Sequence, residues 1–120
     1  MTADQPISKA TAEHYIWGGV CDGWHLVKGS DLSVIHERMP PGASEQRHSH
    51  ERARQLFFVL TGSLTLEVEG TTHHIVAGQG LEIAPTAHHQ AINTSPEAVE
   101  FLVVSAPTTR GDRIDCGPAP

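Results

Sequence analysis

Apolar and polar residues alternate along this chain in short runs. Leu64, Leu66 and Val68 alternate with Thr65, Glu67 and Glu69, the period-two pattern of a half-buried strand with one wet face. Leu56–Leu60 (LFFVL) is apolar at every position, which predicts a strand covered on both faces, with a partner subunit as a candidate for the second cover. Ser33–Met39 and Val99–Ser105 are further strand candidates, rich in Val, Ile and Phe. Turn signals punctuate these runs: Pro40-Pro41-Gly42, Thr61-Gly62, Gly70 and Gly78-Gln79-Gly80. Helical periodicity is weak throughout, and only residues 9–15 suggest a short N-terminal turn. About eight to ten short strands separated by glycine turns indicate an all-β antiparallel sandwich or barrel.

No internal repeat, low-complexity tract or linker divides the chain. Residues 1–12 are small and polar and predict a flexible N-terminus. Residues 13–106 carry the strand pattern. Residues 107–120 hold three prolines and two glycines, which predicts an irregular C-terminal tail lying on the surface rather than forming an element.

A chain of 120 residues is long enough for one core. Its formal net charge of −6 argues against an electrostatic grip on nucleic acid or an anionic membrane. No run approaches the ~20 apolar residues of a membrane span. Residues 1–12 lack the apolar core of a signal peptide, so the expected location is cytoplasmic. Cys21 and Cys116 are two and far apart, a pattern that reads as reduced thiols rather than a disulfide framework.

Histidine changes the picture. Nine occur in the chain and six fall within residues 48–89. His48 and His50, at i and i+2, point to the same face of a strand and can share a metal ion. A third histidine from a distant strand would complete a three-nitrogen set. His73-His74 and His88-His89 are adjacent pairs, and neighbouring strand residues face opposite ways, so at most one of each pair can look into a shared site.

Gly42-x5-His48-x-His50-x4-Gln55-x6-Gly62 resembles the first motif of the cupin superfamily, which has Gly, His-x-His, Glu and Gly at those spacings. Gly78-x5-Ala84-x-Thr86-x2-His89-x3-Asn93 resembles the second, with Gly, Pro, Gly, His and Asn. All ten positions agree in spacing and seven of the ten in residue type. The departures are Gln55 for Glu, Ala84 for Pro and Thr86 for Gly. The last two bear on the turn before His89, where Pro85 still supplies a stiff φ angle.

The resemblance implies a small jelly-roll barrel, a metal held inside its mouth, and often a homodimer. Carried over residue by residue, the implied ligands are His48, His50 and His89, with Gln55 in the fourth place and His88 facing away. The implied cofactor is one divalent transition metal ion: Zn, Fe, Ni, Mn, Co or Cu. Imidazole-rich coordination suits such ions better than Mg or Ca. Gln55 is neutral and cannot act as a base near neutral pH. Four neutral ligands leave the full +2 charge on the site, which favours an anionic substrate oxygen or hydroxide. Gln55 either coordinates directly or hydrogen-bonds a ligated group. Glu37 is the candidate carboxylate to replace the missing base.

The remaining candidates have plainer expectations. Phe57, Phe58 and Phe101 read as core rather than a substrate box. Tyr15, Trp17 and Trp24 read as a cap on the barrel or a dimer contact. Arg38, Arg47 and Arg54 read as solvated charges, and His73 and His74 as solvent-facing on a hairpin. His36 has either a place at the mouth or a surface position. Asn93 is expected to fix a turn near His89.

Two functions fit. One is a metal-dependent enzyme of dioxygenase, isomerase or lyase type acting on a small oxygenated organic molecule. The other is a non-catalytic small-molecule binding or sensing module, needing a partner if it is to act on DNA. A metal-free structural or storage barrel is the weaker alternative.

Overall fold

A computed structural model describes residues 5–120. Residues 1–4 of the expected flexible N-terminus lie outside the described residues. A single turn follows, where the amides of Thr11 and Ala12 donate to the Ser8 carbonyl.

The described residues form eleven strands and no helix. They are β1 (Glu13–Trp17), β2 (Cys21–Lys28), β3 (Ser33–Met39), β4 (His48–His50), β5 (Arg54–Thr61) and β6 (Ser63–Val68). After these come β7 (Thr71–Val76), β8 (Gly80–Ile83), β9 (His89–Ile92), β10 (Val99–Ala106) and β11 (Arg113–Asp115). One sheet runs β1-β2-β3-β10-β5-β8 and the other β11-β4-β9-β6-β7. Every pairing between strands is antiparallel. The fold is an all-β jelly roll with its core between the two sheets.

Alternation builds that core. On β10, Val99, Phe101, Val103 and Ser105 turn inward, and on β5 so do Gln55, Phe57 and Val59. They meet Leu64 and Leu66 of β6, Ile75 of β7, Ile83 of β8 and Ala91 of β9. The Phe57 and Phe101 rings stack with centroids 5.9 Å apart. Burying a side chain such as Phe101, fully enclosed here, contributes about 1.5–3 kcal/mol. Between β6 and β7, Glu69 and Gly70 both take positive φ (50° and 87°), the geometry that two-residue hairpin turns require.

Several expectations change. Leu64, Leu66 and Val68 face the core, but Thr65 and Glu67 are buried as well, at 7% and 6% exposure. Arg47, expected to be a solvated charge, covers that face: its guanidinium meets the Glu67 carboxylate at 2.7 and 3.1 Å. The same arginine donates to the Gly117 carbonyl, so the C-terminal tail closes over the pair. The tail also forms an element after all, because β11 pairs with β4. In LFFVL only one face is covered within the chain: Leu56 and Leu60 stand exposed on the outer side. Strands β5 and β6 belong to different sheets, so Thr61-Gly62 carries the chain from one layer to the other. Arg54 is exposed and pairs with Glu82 at 2.7 Å, whereas Arg38 is half-buried, 4.0 Å from the Asp22 carboxylate.

Candidate metal centre

Strand β4 holds His48 and His50 on one face, and its register sets His48 directly opposite His89 of β9. Ring centroids lie 4.8 Å apart for His48 and His50, 4.5 Å for His48 and His89, and 5.8 Å for His50 and His89. One nitrogen from each ring falls within 4.8 Å of the others, and all three residues are buried. His88 stays outside this cluster, and the Thr86 amide ties the turn before β9 to the His50 carbonyl at 2.7 Å.

Backbone carbonyls orient two of the rings. His48 Nδ1–H donates to Gln46 O at 2.7 Å, and His89 Nδ1–H donates to Ala87 O at 3.0 Å. A nitrogen that donates at Nδ1 in a neutral ring leaves Nε2 with a free lone pair. Burial pushes His48 down to about 3 and His50 down to about 4, and it lowers His89 as well. All three rings are therefore uncharged at neutral pH, the form that binds a metal.

Gln55 reaches the site from β5 in the opposite sheet. Its amide nitrogen donates to Ser105 Oγ at 3.1 Å. Its Oε1 is buried without a protein partner, as are His50 Nδ1 and His89 Nε2. A buried polar atom left unmet costs about 1–3 kcal/mol, and three of them belonging to this one group of residues fit a cation that would meet them. His48, His50 and His89 can hold a metal ion.

His48, His50 and Gln55 line a cavity of about 210 Å³. Trp17, Ile35, Phe57 and Val103 form its apolar lining, and Tyr15, Glu37, Glu45 and Arg113 its polar one. Tyr15 and Trp17 are thus cavity walls. Phe57 is both core and wall, its ring edge-on to His89 at 5.9 Å. Glu37 is half-buried; burial first, and then the charge of Glu45, push it up to about 8, against the pull of Tyr15 and Arg113. Burial likewise raises Glu45 to about 7, opposed by a hydrogen bond from the Ala91 amide and by Arg113.

Other candidates lie elsewhere. Trp24 and His36 pack edge-to-face at 5.5 Å on the outer side of the six-stranded sheet, where His36 meets Glu100 at 2.7 Å. His74 bonds Thr65 Oγ1 on the second sheet and is exposed. Asn93 is fully buried and donates to the carbonyls of Met39 and Glu97, pinning the loop after β9.

Three participants escaped sequence reasoning. Glu45 and Arg113 lie in segments read as loop and tail. The third is Asp112, whose carboxylate accepts from the amides of Glu51, Arg52 and Ala53 at 3.0 Å each. Burial alone would raise Asp112, but those donors outweigh it and hold it low. It clamps the link between His50 and Gln55. A signal existed only for Glu37: period two along β3 sets Ile35, Glu37 and Met39 on one face.

Comparisons with known proteins agree with this architecture. The chain is 30% identical over 78 residues to the HTH-type transcriptional regulator PuuR of Escherichia coli, a match covering 65% of this chain and 42% of the regulator. The chain therefore spans about two-fifths of the length of the curated relatives it matches. Among solved structures, it superposes on the polyketide cyclase RemF of Streptomyces resistomycificus with a TM-score of 0.82 at 18% identity, covering 96% of this chain and 87% of that one. It superposes on an uncharacterised double-stranded beta-helix protein of Klebsiella pneumoniae with a TM-score of 0.79 at 21% identity, covering 95% and 98%. At these identities the two structures speak for the fold alone. The family model of the cupin domain matches residues 35–105, and the chain belongs to that family.

Proposed function

We propose that this cupin-family chain is a metal-dependent enzyme acting on a small oxygenated organic molecule, with His48, His50 and His89 as ligands and Gln55 as the fourth. The observation that carries this reading is three buried, uncharged imidazoles within 4.8 Å of one another, beside a cavity of about 210 Å³ with carboxylates in its lining. The chemistry that a bound Zn, Fe, Ni, Mn, Co or Cu ion supplies in such a site is Lewis-acid activation of a substrate oxygen or, for a redox-active ion, of O₂. The chain's own residues exclude water with Phe57, Trp17 and Val103, present Arg113 to substrate anions, and present Glu37 and Glu45 as proton carriers. Isomerase, lyase and dioxygenase chemistry all use that inventory, and the fold does not choose among them.

The alternative is a binding or sensing module, favoured by the match to part of a transcriptional regulator. In either case the second copy of a homodimer would cover Leu56 and Leu60 on the outer face of the six-stranded sheet, where Phe58, Leu102 and Val104 extend the apolar surface. A cytoplasmic location belongs to the same reading.

Elemental analysis after metal-supplemented expression tests it. About one equivalent of a transition metal is expected, and less than about a tenth of an equivalent would overturn both readings that need one. Turnover of an oxygenated substrate by the loaded protein, against tight binding of it unchanged over hours, then separates the enzyme from the sensor. Gln55→Glu adds a charged oxygen at the fourth place and should tighten metal binding about tenfold if position 55 coordinates.

A further inference from the structure

In the six-stranded sheet, the registers align Tyr15 of β1 with Gly23 of β2, and Gly23 with Glu37 of β3. The middle residue of this row has no side chain. A Cβ built on Gly23 would lie 2.3 Å from Tyr15 Cζ and 2.6 Å from its hydroxyl oxygen, so the Tyr15 ring lies flat over the glycine backbone. It thereby reaches across β2 toward Glu37, whose charge helps keep the hydroxyl protonated. His25 stacks with the ring, centroids 4.9 Å apart at 29°. Both Tyr15 and Glu37 line the cavity that holds His48, His50 and Gln55.

We propose that Glu37 is the catalytic proton carrier of this cavity, doing the work that Gln55 cannot, and that Tyr15, admitted by Gly23, is its positioning residue. This rests on the reading of the site as a metal-dependent enzyme. The step is a proton transfer. A C–H bond next to a substrate carbonyl breaks, its proton passes to a Glu37 oxygen, and the bond's electron pair moves onto the carbonyl oxygen as an enolate. Return of a proton from Glu37 to carbon restores a neutral carbonyl compound, at the same or the neighbouring carbon. No oxidant or reductant is consumed. The groups facing the pair are Glu45 from the β3–β4 loop, Arg113 of β11, and His25 and Cys21 of β2. Burial and the Glu37 charge hold the Tyr15 hydroxyl well above its ordinary value.

The chain has a single tyrosine, so tyrosinate absorbance reports Tyr15 directly, with or without metal. In the wild type, Tyr15 should ionise at least about one pH unit above the usual ~10. Glu37→Gln removes the facing charge, and Gly23→Ala expels the ring, so each should bring that value down. Ordinary ionisation in the wild type, unmoved by Glu37→Gln, would overturn the pairing whatever the metal does.

The second readout is deuterium uptake in D₂O by pyruvate, acetoin and dihydroxyacetone, followed by proton NMR, with metal content measured on the same samples. Glu37→Gln at full metal content should slow exchange at least ~100-fold. Tyr15→Phe and Gly23→Ala should slow it about tenfold and move its pH profile. Wild-type rates in Glu37→Gln, or no exchange by fully loaded wild type, overturn the role of Glu37 while leaving the metal reading standing. Absence of metal from the wild type overturns the metal reading, and the tyrosine titration still decides the pair.

Discussion

The two walls of the cavity solve one electrostatic problem in opposite ways. The five-stranded sheet presents three imidazoles, and the six-stranded sheet presents Glu37, backed by Tyr15 across Gly23. Burial favours the uncharged form of any group, so it lowers the histidines and raises the carboxylates. The histidine wall is thereby ready for a cation near neutral pH, and the carboxylate wall is able to hold or release a proton there. Each wall is also built differently. The first uses a short motif and one cross-strand pair, whereas the second needs three neighbouring strands and a missing side chain.

The largest effect should come from breaking the histidine wall itself. His89→Ala removes one of three imidazoles and should weaken metal binding at least ~100-fold, measured by competition with a chelator. Its counterpart on the other wall, Glu37→Gln, should leave that affinity within about threefold, since Glu37 is assigned to protons and not to the metal. Equal losses in the two variants would erase the distinction between the walls.

A smaller loss should follow from Asp112→Ala. The carboxylate of this residue holds the three amides between His50 and Gln55. Metal affinity should fall about tenfold, the scale of a support that orients ligands from outside. Unchanged affinity would mean that β4 keeps its register through its pairing with β9 and β11 alone.

pH sharpens the comparison in the metal-free protein. His48 binds fewer protons folded than unfolded between 6.5 and about 3, so its contribution to stability is present above 6.5 and is lost as pH falls through this window. Glu37 binds more protons folded than unfolded between 4.5 and about 8, so its contribution is present below 4.5 and is lost as pH rises through that window. Urea midpoints across both ranges should show His48→Gln flattening the acid limb and Glu37→Gln the alkaline one. A variant that flattened the opposite limb would contradict the assignment.

The smallest effect lies in the turn that delivers His89. Thr86 occupies the left-handed region at φ 73°, which costs a β-branched residue about 1–2 kcal/mol. Thr86→Gly should therefore stabilise the protein by about 1 kcal/mol in urea unfolding and leave metal affinity unchanged.

What could be read in advance follows the range of the interactions. The all-β class and the inward face of β6 were legible, because alternation is a local consequence of strand geometry. His48, His50 and His89 were nominated by spacing and by the resemblance that spacing carries, and the structure brings them together. Tyr15 and Trp17 were expected to cap the barrel or meet a partner subunit, and the structure shows them lining its cavity. Arg47 and Glu67 were taken for solvated charges, since nothing local marks a pair 20 residues apart in sequence. The strand at Arg113–Asp115 was hidden among prolines and glycines.

From the order of residues alone come the strand alternation, the glycine turns, the His-x-His pair and the neutral Gln55 in place of a carboxylate. Each of these depends on neighbours a few positions away, and backbone geometry translates such spacing directly into direction. Folding alone settles which sheet edge the tail joins, that Asp112 clamps the histidine loop, and that Gly23 lets Tyr15 cross to Glu37. Those are contacts between segments far apart in the chain, and burial, which no single segment contains, sets the protonation of both walls.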